Sequence, residues 1–261
     1  MATRTITGRS PRAEARAQEL MLRRLENQYR PRLAKEIARA MRAAADKYNE
    51  PMGLETVIAD HKERLTVILS LLWSASDAAM GNHLEDGLKR IVAIREVKQS
   101  MVIPRTQSTT QAMRGWIMSI GAQKITQISD TTRSQVQTMI NAGLAQELSE
   151  IEISKSIKEV ASLRSASRAQ TIARTEVHGA AQHSAMEQAR AIDLDAKRQW
   201  VSAQSERTRQ THIDADGQVV GIYEKFTVGD ALLDYPGDYL ANAPEETINC
   251  RCASVLVFDD D

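Results

Sequence analysis

The chain has 261 residues, 42% of them hydrophobic and 4% aromatic, and its 34 Lys/Arg balance its 34 Asp/Glu. That is enough apolar material for a sizeable core in one or two domains. No run reaches the ~18 apolar residues of a membrane span, no apolar signal-peptide core opens the chain, two cysteines make no disulfide framework, and so few aromatics argue against a base-stacking surface.

The charge is unevenly spread. Met1 to Tyr48 holds twelve Lys/Arg against five acids, whereas Ala203 to Asp261 holds four against twelve. Such polarity suits a basic arm that meets an acidic partner and an acidic head that stays soluble. In the arm, Leu22, Leu25, Tyr29, Leu33, Ile37, Met41, Ala44 and Tyr48 recur every three or four residues, which predicts one helix with a single apolar stripe. Pro31 lies inside it and is expected to kink or divide it. The basic surface reads equally as a solvated helix face or as a nucleic-acid or protein contact.

"NEPMG" at 49–53 breaks the pattern, and Leu54 to Leu72 predicts a second helix, with His61 as a satisfied core histidine on its apolar face. Gly81 and Gly87 are expected to flank a short helical piece, and 102–111 reads as a polar connector around Pro104. A third helix follows from about Gln111 to Gly143, with Asp130-Thr131-Thr132 capping a break. Ser154 is a candidate N-cap, and Ser167 to Ile192, rich in Ala, Gln and Glu, predicts a strong helix.

Beyond Asp193 the character changes. "RQWVSA" (198–203), "QVVGIYEKF" (218–226) and "ASVLVF" (253–258) predict short strands, separated by turn chemistry at "DADG", "YPGD" and "NAP". The expected fold class is therefore α+β: an extended helical region over 1–110, then a compact module over 111–261 with a small antiparallel sheet. Asp216-Gly217 suits a tight hairpin.

Both cysteines fall in "NCRC", Asn249 to Cys252. His212, Cys250 and Cys252 offer three soft zinc ligands, with a fourth from Asp214, His178 or water. Cys-x-Cys is shorter than the usual Cys-x2-Cys knuckle, so the spacing favours small buried side chains entering the last strand, with Arg251 on the opposite face. Asn249 is expected to bond local backbone. A thiol nucleophile would take His212 or His178 as its base, but no known thiol-enzyme motif surrounds either cysteine. His212, Asp214, Asp216 and Gly217 only superficially follow a calcium loop, because the twelfth position is Tyr223. "ARTE", Ala173 to Glu176, reads as a helix surface or as a buried polar cluster against the sheet.

Taken in order, Arg174-Thr175-Glu176, Trp200, Arg209 with His212, Asp216-Gly217, Pro236-Gly237-Asp238 and Asn249-Cys250-Arg251-Cys252 resemble the phage head morphogenesis family, the Mu-F-like minor head proteins of tailed phages. The likeness covers about Ile125 to Phe258 and departs at Ser205-Glu206, where the family commonly carries an Asp. It implies a non-enzymatic virion component of a phage or prophage, assembled in the host cytoplasm and held inside the capsid near the portal. The portal protein, other head proteins and packaged double-stranded DNA would be its partners, with no membrane and no cofactor, zinc being the alternative. Arg23, Arg24, Arg30, Arg32, Arg39 and Arg42 would then be the candidate DNA or portal contacts. Some relatives carry toxin domains after this region, and the ending "FDDD" leads us to expect none here.

Overall fold

A computed structural model describes residues 4–95, 107–191 and 196–258, with side chains over 5–90, 111–191 and 196–258. The connector expected around Pro104 lies outside the described residues up to 106. The elements are β1 (Arg4–Thr5), α1 (Pro11–Lys47), α2 (Gly53–Arg95), α3 (Gln107–Trp116), a π-helical stretch (Ile117–Gly121), α4 (Ala122–Ala145) and α5 (Glu150–Ala191). They continue with β2 (Lys197–Val201), α6 (Gln210–Asp214), β3 (Val219–Gly221), β4 (Phe226–Val228), β5 (Ala231–Leu233), a 3-10 turn (Tyr239–Ala241), α7 (Pro244–Thr247) and β6 (Ala253–Phe258). The class is α+β, as the sequence predicts. No helix of the described residues is long and apolar enough to cross a membrane.

The helices are longer than sequence signals imply, for local reasons. Pro31 does not divide α1. Proline deprives the Asn27 carbonyl of its donor, but both residues are exposed, so water can take that place. Gly81 and Gly87 do not interrupt α2. Gly87 instead makes room for the N-terminal segment: a Cβ there would sit 3.1 Å from Thr7 Cγ2 and 3.2 Å from the Ile6 carbonyl oxygen. Asp130-Thr131-Thr132 caps nothing, because the hydroxyls of Thr131 and Thr132 donate to the carbonyls four residues back, Gln127 and Ile128, and the helix continues. The irregularity falls earlier, in the π-helical turn. The cap of α5 is Ser149 rather than Ser154. The Ser149 amide donates to Glu152 Oε2 at 2.8 Å while the Glu152 amide approaches Ser149 Oγ at 3.4 Å, a capping box.

The chain forms two compact units, Met1–Leu25 with Trp73–Gly115 and Arg174–Asp261, and Glu26–Leu72 with Trp116–Ala173. The second is all helical. At its centre His61 is fully buried and satisfied as expected: Nδ1 lies 2.9 Å from Glu36 Oε1 and Nε2 lies 3.3 Å from Thr132 Oγ1. Arg39 closes the cluster with two bonds to Glu36 and one ion pair to Asp60.

The first unit carries the sheet, in the order β1-β6-β2-β3, antiparallel throughout, with β4 and β5 as a separate hairpin. Strand β6 is central and pairs with β2 from Lys197↔Val257 to Val201↔Ala253. Val201, Ala253, Val255 and Val257 cluster on one face by the two-residue period. The alternating Ser254 and Leu256 are buried as well, so the sheet is covered on both sides. The two-residue β1, too short to read from sequence, is fastened by Glu14. That carboxylate accepts from Thr7 Oγ1 at 2.5 Å and pairs with His83, and these bonds outweigh the upward push of burial and hold its pKa down to about 2.

Candidate functional site

Helix α5 lays one face along the segment that leads into β6. Arg174, His178 and Gln182 follow one another at four-residue spacing and share that face. Arg174 Nη1 donates to Asn249 Oδ1 at 2.5 Å, His178 Nε2 donates to the Cys252 carbonyl at 2.5 Å, and Gln182 Oε1 accepts from the Ser254 amide at 3.0 Å. Thr175 Oγ1 accepts the Asn249 amide at 2.9 Å. Asn249 therefore bonds the helix rather than local backbone, from a left-handed conformation (φ 62°) that asparagine tolerates. Glu176 accepts from Trp73 Nε1 at 2.9 Å. The "ARTE" residues are thus a buried polar cluster, the second of the two readings open to them.

The Pro236-Gly237-Asp238 turn closes against the same helix. Gly237 has φ +85°, and a Cβ on it would lie 3.3 Å from Gly179 Cα, so both the conformation and the close approach require glycine. Asp238 accepts from the amides of Asp234 and Leu240, each at 3.0 Å. Burial nevertheless pushes its carboxyl pKa up.

The expected Asp-Gly hairpin is not formed. Strands β2 and β3 pair directly, but seventeen residues that include α6 connect them. Asp216 instead accepts the Ser202 amide at 2.8 Å and pairs with Arg12 at 2.5 Å, while Gly217 takes φ +81°. Arg209 precedes α6 and donates to the Ile248 carbonyl at 2.7 Å. Helix α6 thereby presents His212 to the cysteines.

His212 Nδ1 lies 3.2 Å from Cys252 Sγ and 3.7 Å from Cys250 Sγ, and the three potential ligand atoms all fall within 4.8 Å of one another. Exposure is 2% for His212, 3% for Cys250 and 1% for Cys252. On the other side of the ring, Nε2 lies 2.9 Å from Glu246 Oε2, which also accepts from Thr211 Oγ1 at 2.9 Å. Trp200 stands edge-on to the imidazole at 5.5 Å between centroids and joins the cysteines, Phe226, Val228 and Leu233 in one core cluster. The pKa values of the two thiols diverge. Hydrogen bonding from Cys250, then the imidazole and the Ala203 amide, favour the Cys252 thiolate and lower its pKa, while the same pairing and burial push Cys250 up.

The alternation inferred for "NCRC" holds, although the segment precedes β6: both thiols point to the core and Arg251 reaches Glu19 at 3.3 Å. Neither residue offered as a fourth ligand joins the group. His178 is committed to the Cys252 carbonyl, and Asp214 is exposed and accepts from Gln210. Glu206 is exposed as well. Glu246 is the partner that sequence reasoning missed. It lies on α7, a four-residue helix whose only signal is Pro244 at its first position.

The six arginines proposed as contacts occupy α1. Arg23, Arg24, Arg30, Arg32 and Arg42 are exposed, with Arg23 paired to Glu19 and Arg32 stacked on Tyr29. Arg39 is half-buried and engaged by Glu36 and Asp60.

Comparison with known proteins matches residues 134–255 to the phage Mu protein F like family. The NAD(+)--arginine ADP-ribosyltransferase EFV of Enterococcus faecalis (strain ATCC 700802 / V583) is 29% identical over 143 residues, covering 53% of this chain and 28% of that protein. The chain thus spans little more than a quarter of that relative's length. No solved structure matches.

Proposed function

We propose that the chain is a non-enzymatic minor head protein, a reading supported by the match of residues 134–255 to the phage Mu protein F like family. It acts inside the capsid at the portal vertex, in assembly and in packaging or delivery of DNA. The module over 111–261 is its structural part, and the helical region over 1–110 supplies contacts to the portal, to packaged DNA and to other head proteins. One observation supports the structural reading: the polar residues of the signature are engaged by other parts of the fold. Arg174 holds Asn249, His178 holds the Cys252 carbonyl, and Asp216 holds Ser202.

Arg23, Arg24, Arg30 and Arg32 sit where a phosphate backbone can reach them. Replacing all four by glutamine in the full chain is expected to weaken binding to duplex DNA. It should also flatten the dependence of log K on log salt by roughly 0.9 for each phosphate that is no longer neutralised. Unchanged binding and slope would remove these arginines from the DNA interface, and co-purification with the portal protein by the same variant tests the second partner. The full chain is needed because Trp73, Arg12 and Glu19 bond Glu176, Asp216 and Arg251, so trimming the N-terminus strips the signature of its partners.

A thiol-enzyme reading has one observation in its favour: Cys252, His212 and Glu246 lie in hydrogen-bonded series, as a nucleophile, base and orienting acid would. Burial opposes it, since a substrate must reach the sulfur. Iodoacetamide at neutral pH is expected to label the native chain slowly and the urea-unfolded chain fast. Rapid native labelling that disappears on His212→Ala would establish the enzyme instead.

A further inference from the structure

We propose that His212 Nδ1 and the sulfurs of Cys250 and Cys252 hold a zinc ion, with water as the fourth ligand. The inference stands on the local geometry and does not depend on the role of the chain in the head.

The distances fit the ion. With Zn–S near 2.3 Å and Zn–N near 2.0–2.1 Å, tetrahedral ligand atoms lie about 3.5–3.8 Å apart. The two sulfur-to-nitrogen separations, 3.2 and 3.7 Å, lie on either side of the sulfur-to-nitrogen edge of about 3.55 Å. The two sulfurs lie within 4.8 Å of each other, where a shared zinc would hold them about 3.8 Å apart, so side-chain rotation would complete the seat. Among the described residues no other His, Cys, Asp or Glu joins this group, so the remaining position goes to solvent.

The surroundings fit as well. A zinc-bound histidine usually donates its other ring N–H to a carboxylate, which fixes the tautomer and strengthens the ligand nitrogen. Here Nε2 faces Glu246 Oε2, and Thr211 fixes the same oxygen. That arrangement leaves the Nδ1 lone pair aimed at the thiols. The sulfurs receive amide donors of their own, Cys252 N to Cys250 Sγ at 3.4 Å and Ala203 N to Cys252 Sγ. Plain packing beside Trp200, Phe226 and Val228 would need none of these. On binding, each thiol gives its proton to solvent, and Zn2+ with two thiolates and a neutral imidazole carries no net charge, which suits a buried centre.

The test uses the full-length chain, freed of any affinity tag, stripped of metal, reconstituted with equimolar zinc and desalted. Zinc is expected to remain at about one ion per chain, and cobalt(II) in its place should give thiolate-to-metal charge transfer with the intense visible bands of a four-coordinate site. Cys252→Ser should lose the charge-transfer band. Glu246→Gln should keep the fold, read by circular dichroism, and bind zinc about 10–100-fold more weakly. Folded wild-type chain that retains only substoichiometric zinc and shows no cobalt charge transfer would overturn the proposal. So would retention of the ion by both Cys252→Ser and His212→Gln, which would place it elsewhere. If a variant does not fold, the wild-type cobalt spectrum decides.

Discussion

Arg198→Ala is expected to lower the unfolding free energy by about 3–5 kcal/mol, from the loss of several charge-assisted hydrogen bonds together with the cavity left behind. Arg198 is 1% exposed, on β2 beside the central strand. Its guanidinium donates to the carbonyls of Asp234 and Glu224 and, at 3.3 Å, to that of Gly221, and it lies 5.2 Å from the centre of the Phe226 ring. One side chain thereby ties the ends of β3 and β5 and the approach to β4, three short segments with few ladder bonds of their own. Burial pushes its pKa down to about 10, so at neutral pH it keeps its charge and all its donors. Arg198→Met separates the contributions: it refills most of the volume without a donor, so it should recover the packing part and leave the hydrogen-bond part missing. Urea unfolding of the three proteins measures both. If Arg198→Ala shifts the midpoint no more than an exposed substitution such as Arg207→Ala, the clamp contributes nothing.

Nothing in the local sequence marks Arg198 out, and it shows where reading from sequence stops. "RQWVSA" identifies a strand because β-branched and aromatic residues crowd it, but the acceptors of Arg198 lie 23 to 36 residues away and are backbone atoms. Backbone acceptors leave no trace in residue identity. Glu246 is similar, since its partners Thr211 and His212 are remote in sequence and its own helix is a single turn. What is legible is periodic or chemically restricted. The apolar stripe of α1 and the run of β6 come through because burial repeats along them. Pro31 and Gly87 look like breakers in the sequence and are not, because residue identity reports a missing N–H or Cβ but not what surrounds it: open solvent in one case, the incoming segment at Ile6 and Thr7 in the other.

The signature shows the same division. Its residues can be picked out in order, but their common purpose depends on a helix face. Arg174, His178 and Gln182 meet Asn249, Cys252 and Ser254 because a helix returns to one face every four residues while the chain from Asn249 into β6 passes beside it. The nearness of the thiols to His212 likewise depends on α6, which the Asp-Gly turn chemistry conceals: a short helix carries His212 back over the cysteines where a tight hairpin would not.

The buried histidines of α5 carry the second large effect, a loss of stability on mild acidification. His178 and His183 on α5 are almost wholly buried, and burial, above all, lowers each pKa from 6.5 to about 4; Arg190 adds to the shift at His183. Above pH 6.5 both rings are neutral in either state and the contribution to folding is intact. As pH falls below 6.5 the unfolded chain takes up protons that the folded chain refuses, so stability declines until the folded pKa near 4 is reached. At pH 5 the loss is about 2 kcal/mol for each histidine, approaching about 3 kcal/mol below pH 4. Glu14 adds a separate step at lower pH: its pKa, lowered from 4.5 to about 2, makes its contribution complete above 4.5 and removes it between 4.5 and 2. Urea midpoints measured from pH 7.5 to 4.5 should therefore fall steeply below pH 6.5. In the His178→Gln, His183→Gln variant they should start lower at pH 7.5, because the bond to the Cys252 carbonyl is weakened, yet slope far less. A wild-type midpoint that stays level down to pH 5, or a variant that keeps the full slope, would mean that these rings take up protons in the folded chain as readily as in water.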